Sequence, residues 1–187
     1  MFQGNKVYQA KKATPENFAK FGHVIHTNNI PTGESSTIQA NQGTAIKQEH
    51  LGTIVNGFPS GVENQLNIHI FNCIPRALIS SKDSSKSLFE CKIMEKHPYS
   101  SQMFMPNTNV YIEDSYLVIV SLDDGAVEGF IFSSDQGVVY NKGVWHSPMC
   151  NISKDTVSFV VLINETGCPD KKDWNCVEVD SDFKIEF

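Results

Sequence analysis

The sequence predicts a mainly β protein, a sandwich or barrel, with one short helix near its start. Three observations predict it. Short β-branched or alternating runs recur along the 187 residues, turn-forming residues separate them, and helical spacing is confined to one place. That place is Thr14-Pro15-Glu16-Asn17-Phe18-Ala19, where a capping residue precedes proline at the first helical position and apolar spacing follows. The helix should end near Gly22.

The strands follow in order. Leu66-Asn67-Ile68-His69-Ile70-Phe71 alternates in part, and residues 88–97 alternate better. Tyr116-Leu117-Val118-Ile119-Val120 and Ser158-Phe159-Val160-Val161-Leu162-Ile163 are runs of the kind buried on both sides. Phe130-Ile131-Phe132 and Gly137-Val138-Val139-Tyr140 are shorter strands. Residues 28–36, polar with Pro31 and Gly33, read as a long surface loop, and SSKDSSKS over 80–87 as a loop or hairpin tip. With no repeat and no linker composition, residues 1–187 read as a single domain.

Composition excludes several classes of partner. The net charge is -6 and Arg76 is the only arginine, so the basic stripe that a nucleic acid requires is missing. Apolar runs fall far short of the roughly 20 residues of a membrane helix. No apolar stretch of a secretory signal is visible near the start, and Ile185-Glu186-Phe187 is not a peroxisomal address. The five cysteines, Cys73, Cys91, Cys150, Cys168 and Cys176, are odd in number and scattered, with no CxxC pair. A reduced, cytoplasmic protein is the expectation.

Residues 88–97 carry the chemistry. A two-residue period places Phe89, Cys91 and Ile93 on one face and Glu90, Lys92 and Lys96 on the other. The inward parity then includes Glu95 and His97. A buried carboxylate needs a partner or a cation. Pro98 ends the ladder, and Gln102 follows in Ser101-Gln102-Met103-Phe104-Met105-Pro106. A second cluster, Gly143-Val144-Trp145-His146-Ser147-Pro148, puts a glycine turn before an aromatic residue and a histidine. Taken singly these residues have ordinary explanations: a hydrogen-bonded core histidine for His146, a salt bridge from Glu95 to Lys47 or a neighbouring lysine, and backbone satisfaction by Gln102. His23, His26, His50 and His69 read as structural or surface residues.

Together the clusters resemble the cupin double motif. Glu95-x-His97-x4-Gln102 has the first motif's spacing, with Glu in a His position and Gln in the Glu position. Asn141-Lys142-Gly143-Val144-Trp145-His146 keeps the Gly and His of the second, with Asn141 in place of proline. Longer strings are sharper. Asn41-Gln42-Gly43-Thr44-Ala45-Ile46-Lys47, Met94-Glu95-Lys96-His97-Pro98, Gln102-Met103-Phe104-Met105-Pro106 and Gly143-Val144-Trp145-His146-Ser147-Pro148-Met149 resemble the ureidoglycolate lyase family, its fungal form above all. Val161-Leu162-Ile163-x-Glu165 and Asp173-x-x-Cys176-Val177-Glu178 fit as well.

The resemblance implies a cupin-like antiparallel β-barrel, a homodimer, and cleavage of (S)-ureidoglycolate to glyoxylate and urea in allantoin degradation. It also implies a divalent metal. Glu95, His97, Gln102 and His146 are the expected ligands, leaving two open positions, and imidazole, carboxylate and carbonyl donors suit nickel, zinc or manganese. Lys47 is expected to take the substrate carboxylate or shuttle a proton, with His97 and His146 also catalytic. Asn41 and Gln42 suit the urea end, and Tyr140 and Trp145 would line the pocket or transfer a proton. Two alternatives stay open: an amidohydrolase releasing ammonia and carbon dioxide, and a catalytically silent cupin that binds a small metabolite or protein.

Overall fold

The computed structural model describes residues 2–27 and 36–187. Its elements in chain order are β1 (Lys6–Lys12), α1 (Pro15–Phe18), β2 (Gly22–His26), β3 (Ser36–Ala40), β4 (Ala45–Glu49), β5 (Gln65–Cys73), β6 (Ile79–Ser80), β7 (Ser87–Lys96) and β8 (Gln102–Pro106). They continue with β9 (Tyr116–Ser121), β10 (Val127–Phe132), β11 (Gln136–Tyr140), β12 (Trp145–His146), β13 (Cys150–Asn151), β14 (Val157–Glu165), α2 (Lys172–Asn175) and β15 (Val177–Glu186). The mainly β class and the short helix are as expected. The loop expected over residues 28–36 lies, apart from the start of β3, outside the described residues.

Helix α1 forms where the sequence places it. The Thr14 hydroxyl accepts from the Asn17 backbone at 3.2 Å, and the Asn17 side chain accepts from the Thr14 backbone at 3.0 Å. The helix ends at Phe18, short of Gly22, which already begins β2. A side chain at Gly22 would collide with the Val139 carbonyl on the paired strand, so only glycine fits there.

One sheet closes on itself in the order β10, β1, β15, β7, β12, β9 and back to β10. Its interior is filled by Phe89, Cys91, Met94, Leu117, Ile119, Ile131, Trp145, Phe183 and Ile185. A second sheet, ordered β2, β11, β8, β14, β5, packs against the outside of this barrel. Between them lie Tyr116, Val118, Val120, Phe130 and Phe132 from the barrel and Phe104, Val138, Tyr140, Phe159 and Val161 from the sheet. Phe18 stands edge-on to Phe130 and Phe132, and each such buried side chain contributes about 1.5–3 kcal/mol. Strands β3 and β4 form a separate hairpin. No helix among the described residues is long and apolar enough to cross a membrane.

One expectation holds and three change. β9 is buried on both faces, because it separates the two cores. β14 is not: Val157, Phe159, Val161 and Ile163 are buried, while Ser158, Val160 and Leu162 are partly exposed. The barrel is not wholly antiparallel, since β1 runs parallel to both β10 and β15. Finally, the simple parity of β7 fails. Phe89, Cys91 and Met94 all point into the barrel, and Ile93 is exposed. The change of face falls opposite a bulge in β15 between Asp180 and Phe183. Glu95 and His97 therefore face away from the barrel core rather than continuing it. Residues 80–87 do form a hairpin tip, with Ser80 paired to Ser87.

Candidate active site

The site lies between the barrel and the second sheet. β12 wedges between β7 and β9, so that His146 pairs directly with Glu95 on one side and Val120 on the other. The glycine turn before β12 is tied to the first motif, since the Gly143 backbone donates to the His97 carbonyl at 2.9 Å. Gly143 has φ 79°, a conformation that glycine adopts without strain. Gln102 begins β8, opposite Tyr140 and Ile163. Sequence positions 95, 97, 102 and 146 thus converge through strand register.

Hydrogen bonds set the state of both histidines. His97 Nδ1 donates to the Asn175 carbonyl at 2.6 Å, and His146 Nδ1 donates to the Val144 carbonyl at 3.1 Å. In the neutral rings each Nε2 is then an acceptor. Both Nε2 atoms and Gln102 Oε1 are buried with no hydrogen-bond partner among the described residues. His146 Nε2 lies 3.4 Å from Glu95 Oε1, and ligating atoms of Glu95, His97 and His146 all lie within 4.8 Å of one another. Acceptors facing a carboxylate without a donor are unfavourable unless a proton or cation sits among them. The donor set therefore fits a divalent cation. The Asn175 and Val144 carbonyls hold both rings by the kind of outer hydrogen bond that would orient a ligating imidazole.

The electrostatics agree. Burial, reinforced by nearby His146, holds His97 down to about 4, so its ring is a neutral donor at ordinary pH. Burial pushes the Glu95 carboxyl upward, but the neighbouring His146 ring at 3.4 Å, with His97, outweighs burial and leaves Glu95 below its usual value. Tyr140 stacks on the His146 ring at 4.2 Å and 12°.

Glu95, His97 and Gln102 open onto a cavity of about 390 Å³, whose lining also includes His69, Phe71, Phe104, Pro148, Met149, Ile163 and Glu165. That volume suits a small metabolite.

A model of the ureidoglycolate lyase family matches residues 5–186. The chain belongs to the ureidoglycolate lyase family. Among its relatives, the ureidoglycolate lyase of Saccharomyces cerevisiae is 33% identical, over 90% of this chain and 91% of that protein. That of Schizosaccharomyces pombe is 27% identical over 83% of each. A bacterial relative of the same name, from Pseudomonas fluorescens, is 31% identical over 81% of each.

Within this family member, the structure brings together only part of the predicted set. Glu95, His97, Gln102 and His146 meet. Tyr140 supports His146 from behind and is buried. Trp145 points the other way, because neighbouring residues of β12 face opposite sides. Its ring packs on Phe2, and its indole donates to Asp123 at 3.0 Å. It does not line the cavity. Lys47 lies on the β3–β4 hairpin, exposed and paired with Glu49 at 2.6 Å, and Asn41 and Gln42 form the exposed turn of that hairpin. None of these three lines the cavity on this chain. The predicted alternative of a Lys47 salt bridge to Glu95 is not formed.

His69, expected to be a surface or structural residue, lines the cavity beside Glu165, which it contacts at 2.8 Å. Cys176 also adjoins the site. Its sulfur is 4.0 Å from Glu95 Oε2, and burial with the nearby Glu95 charge pushes its thiol up to about 12.

Proposed function

We propose that this protein is a ureidoglycolate lyase that splits (S)-ureidoglycolate into glyoxylate and urea. The observation that carries the reading is that Glu95, His97 and Gln102 line a cavity of metabolite size, with His146 clustered against Glu95 and His97 behind it, in a chain of this family. The substrate offers a carboxylate, a carbinol hydroxyl and a ureido group. Cleavage removes the hydroxyl proton, breaks the C–N bond and protonates the leaving nitrogen.

Glu95, His97, Gln102 and His146 would hold a divalent ion of the nickel, zinc or manganese class. When bound, such an ion acidifies a coordinated hydroxyl and offsets the substrate's negative charge. The protein's own residues do the rest. Asn175 and Val144 keep both imidazoles in the ligating tautomer, Tyr140 fixes the plane of His146, and the stacked Phe71 and Phe104 rings give one side of the cavity an apolar lining. Lys47, Asn41 and Gln42 could serve the carboxylate and urea ends only where their hairpin meets a cavity, in this chain or in a second copy.

A homodimer belongs to this reading. It is supported by the exposed apolar residues of edge strand β5, Leu66, Ile68 and Ile70, and by Ile46 of the hairpin. A cytoplasmic setting is supported by the five unpaired cysteines.

Product analysis tests the function. Purified protein given (S)-ureidoglycolate should release urea and glyoxylate in equal amounts. Release of ammonia without urea would assign the amidohydrolase reaction instead, and no turnover would leave a binding module. Metal analysis of the same preparation tests the ligand set.

A further inference from the structure

The reaction transfers one proton off oxygen and one onto nitrogen, with no net change. With a cation among the Glu95, His97 and His146 acceptors, the buried side of the cavity has no spare proton for the second step. His97 and His146 have committed their Nδ1 protons to the Asn175 and Val144 carbonyls, and their Nε2 atoms lie with a Glu95 carboxylate oxygen within 4.8 Å of one another, while Gln102 Oε1 is a further buried acceptor. The other titratable residues lining the cavity, among the described residues, are Cys73, His69 and Glu165. Burial pushes the Cys73 thiol up, away from ready proton exchange.

His69 and Glu165 are built as a pair. β5 and β14 run antiparallel, with Asn67 opposite Ile163 and His69 opposite Val161, which puts Asn67, His69 and Glu165 on the face turned to the cavity. Glu165 Oε2 accepts from Asn67 Nδ2 at 2.8 Å and lies 2.8 Å from His69 Nε2. Both contacts use one oxygen, leaving Oε1 without a hydrogen-bond partner among the described residues. The pair is only partly buried, so it can exchange protons with water between turnovers.

From this arrangement we infer that His69 and Glu165 form the acid–base pair of the reaction, acting across the cavity from the Glu95, His97, Gln102 and His146 cluster. The inference rests on the lyase reading above. The hydroxyl proton passes to Glu165 as the oxygen lone pair forms the aldehyde C=O. The C–N bond breaks with its electron pair on nitrogen, and nitrogen takes a proton from the Glu165–His69 pair, releasing urea. The pair ends the cycle as it began. Asn67 positions Glu165 and need not touch substrate.

The test compares Glu165→Gln, His69→Gln, Glu165→Ala and His69→Ala with the wild type. Wild-type urea release is measured first. Its absence breaks the lyase reading itself, independently of the variants. Given wild-type turnover, Glu165→Gln should lower kcat about 10²–10⁴-fold, the range of general acid–base catalysis, with KM changed only a few-fold. His69→Gln should do so to a lesser degree. Metal content and melting temperature should match the wild type, since neither residue is among the proposed ligands. Formate should partly restore Glu165→Ala, and imidazole His69→Ala. Turnover within threefold of wild type in both glutamine variants would overturn the inference. So would a loss that tracks lost metal, or one that formate and imidazole leave unchanged, because either outcome assigns the pair a structural role.

Discussion

The two sides of the cavity are built on different principles. On the barrel side, His97 and His146 are buried, each held by one backbone carbonyl, and their free nitrogens meet Glu95. On the sheet side, His69 and Glu165 are half exposed and hold each other through one side-chain contact. Low dielectric and fixed geometry favour cation binding, because acceptors are pre-oriented and cannot relax away. Partial exposure favours proton exchange, because water reaches both side chains.

The largest expected effect breaks the barrel side. His146→Ala should remove bound metal and lower urea release by on the order of 10³-fold or more, since several kcal/mol of charge stabilisation is lost. Metal analysis and a urea assay on one sample check both parts. Retained metal with lost activity would move His146 from ligation to direct chemistry.

Acid tests how firmly that side holds its neutral state. His97 is held down to about 4, against 6.5 when unfolded. The unfolded chain therefore binds more protons between these values, and stability falls as pH drops through that window. The loss should reach about 3 kcal/mol in chelated protein and level off near the lower limit. Urea melts at pH 7 and 5 should show it, and His97→Gln should flatten the dependence.

A smaller effect comes from one shell outward. The Asn175 side chain grips Thr166 through two hydrogen bonds of 2.8 Å, which fixes the carbonyl that orients His97. Asn175→Ala should weaken metal affinity about 10- to 100-fold, measured by chelator competition, while leaving the fold intact. The same kind of change on the sheet side, Asn67→Ala, should leave affinity unchanged and lower kcat instead.

The mildest probe is a thiol count. Cys168 is exposed, whereas burial raises Cys91 and pushes Cys150 and Cys176 up to about 12. A disulfide reagent at pH 8 should find Cys168 fast and those three slow. Rapid labelling of Cys176 would mean that the edge of the barrel side opens more readily than its packing implies.

How much of this was legible before folding differs between the same two sides. Glu95, His97, Gln102 and His146 stand out because their spacing and chemistry are local, although the parity argument that turned Glu95 and His97 inward fails at Ile93. The bulge that changes the face lies in β15, which no pattern in β7 reveals. His69 and Glu165 are 96 residues apart and meet only through the register of β5 on β14, which a single sequence does not specify. β15 itself carried a usable signal, Val177, Val179, Ser181, Phe183 and Ile185 alternating with charged residues, but the acidic content masks it. Lys47 was singled out by its string, and its place on a free hairpin follows from tertiary packing that propensity does not encode.

The order of the barrel strands bears on how the chain is made. β15 stands between β1 and β7, and the segment just before β1 is also bonded to it, with Asn5 donating to the Asp182 carbonyl at 2.8 Å. During synthesis β1 must wait, one edge bare, until residues 177–186 leave the ribosome. Early partners such as β9 and β10 can pair beforehand, but the ring cannot shut. Closure is a late, long-range event of the slow kind, and nascent chains stalled before residue 177 should be the aggregation-prone species.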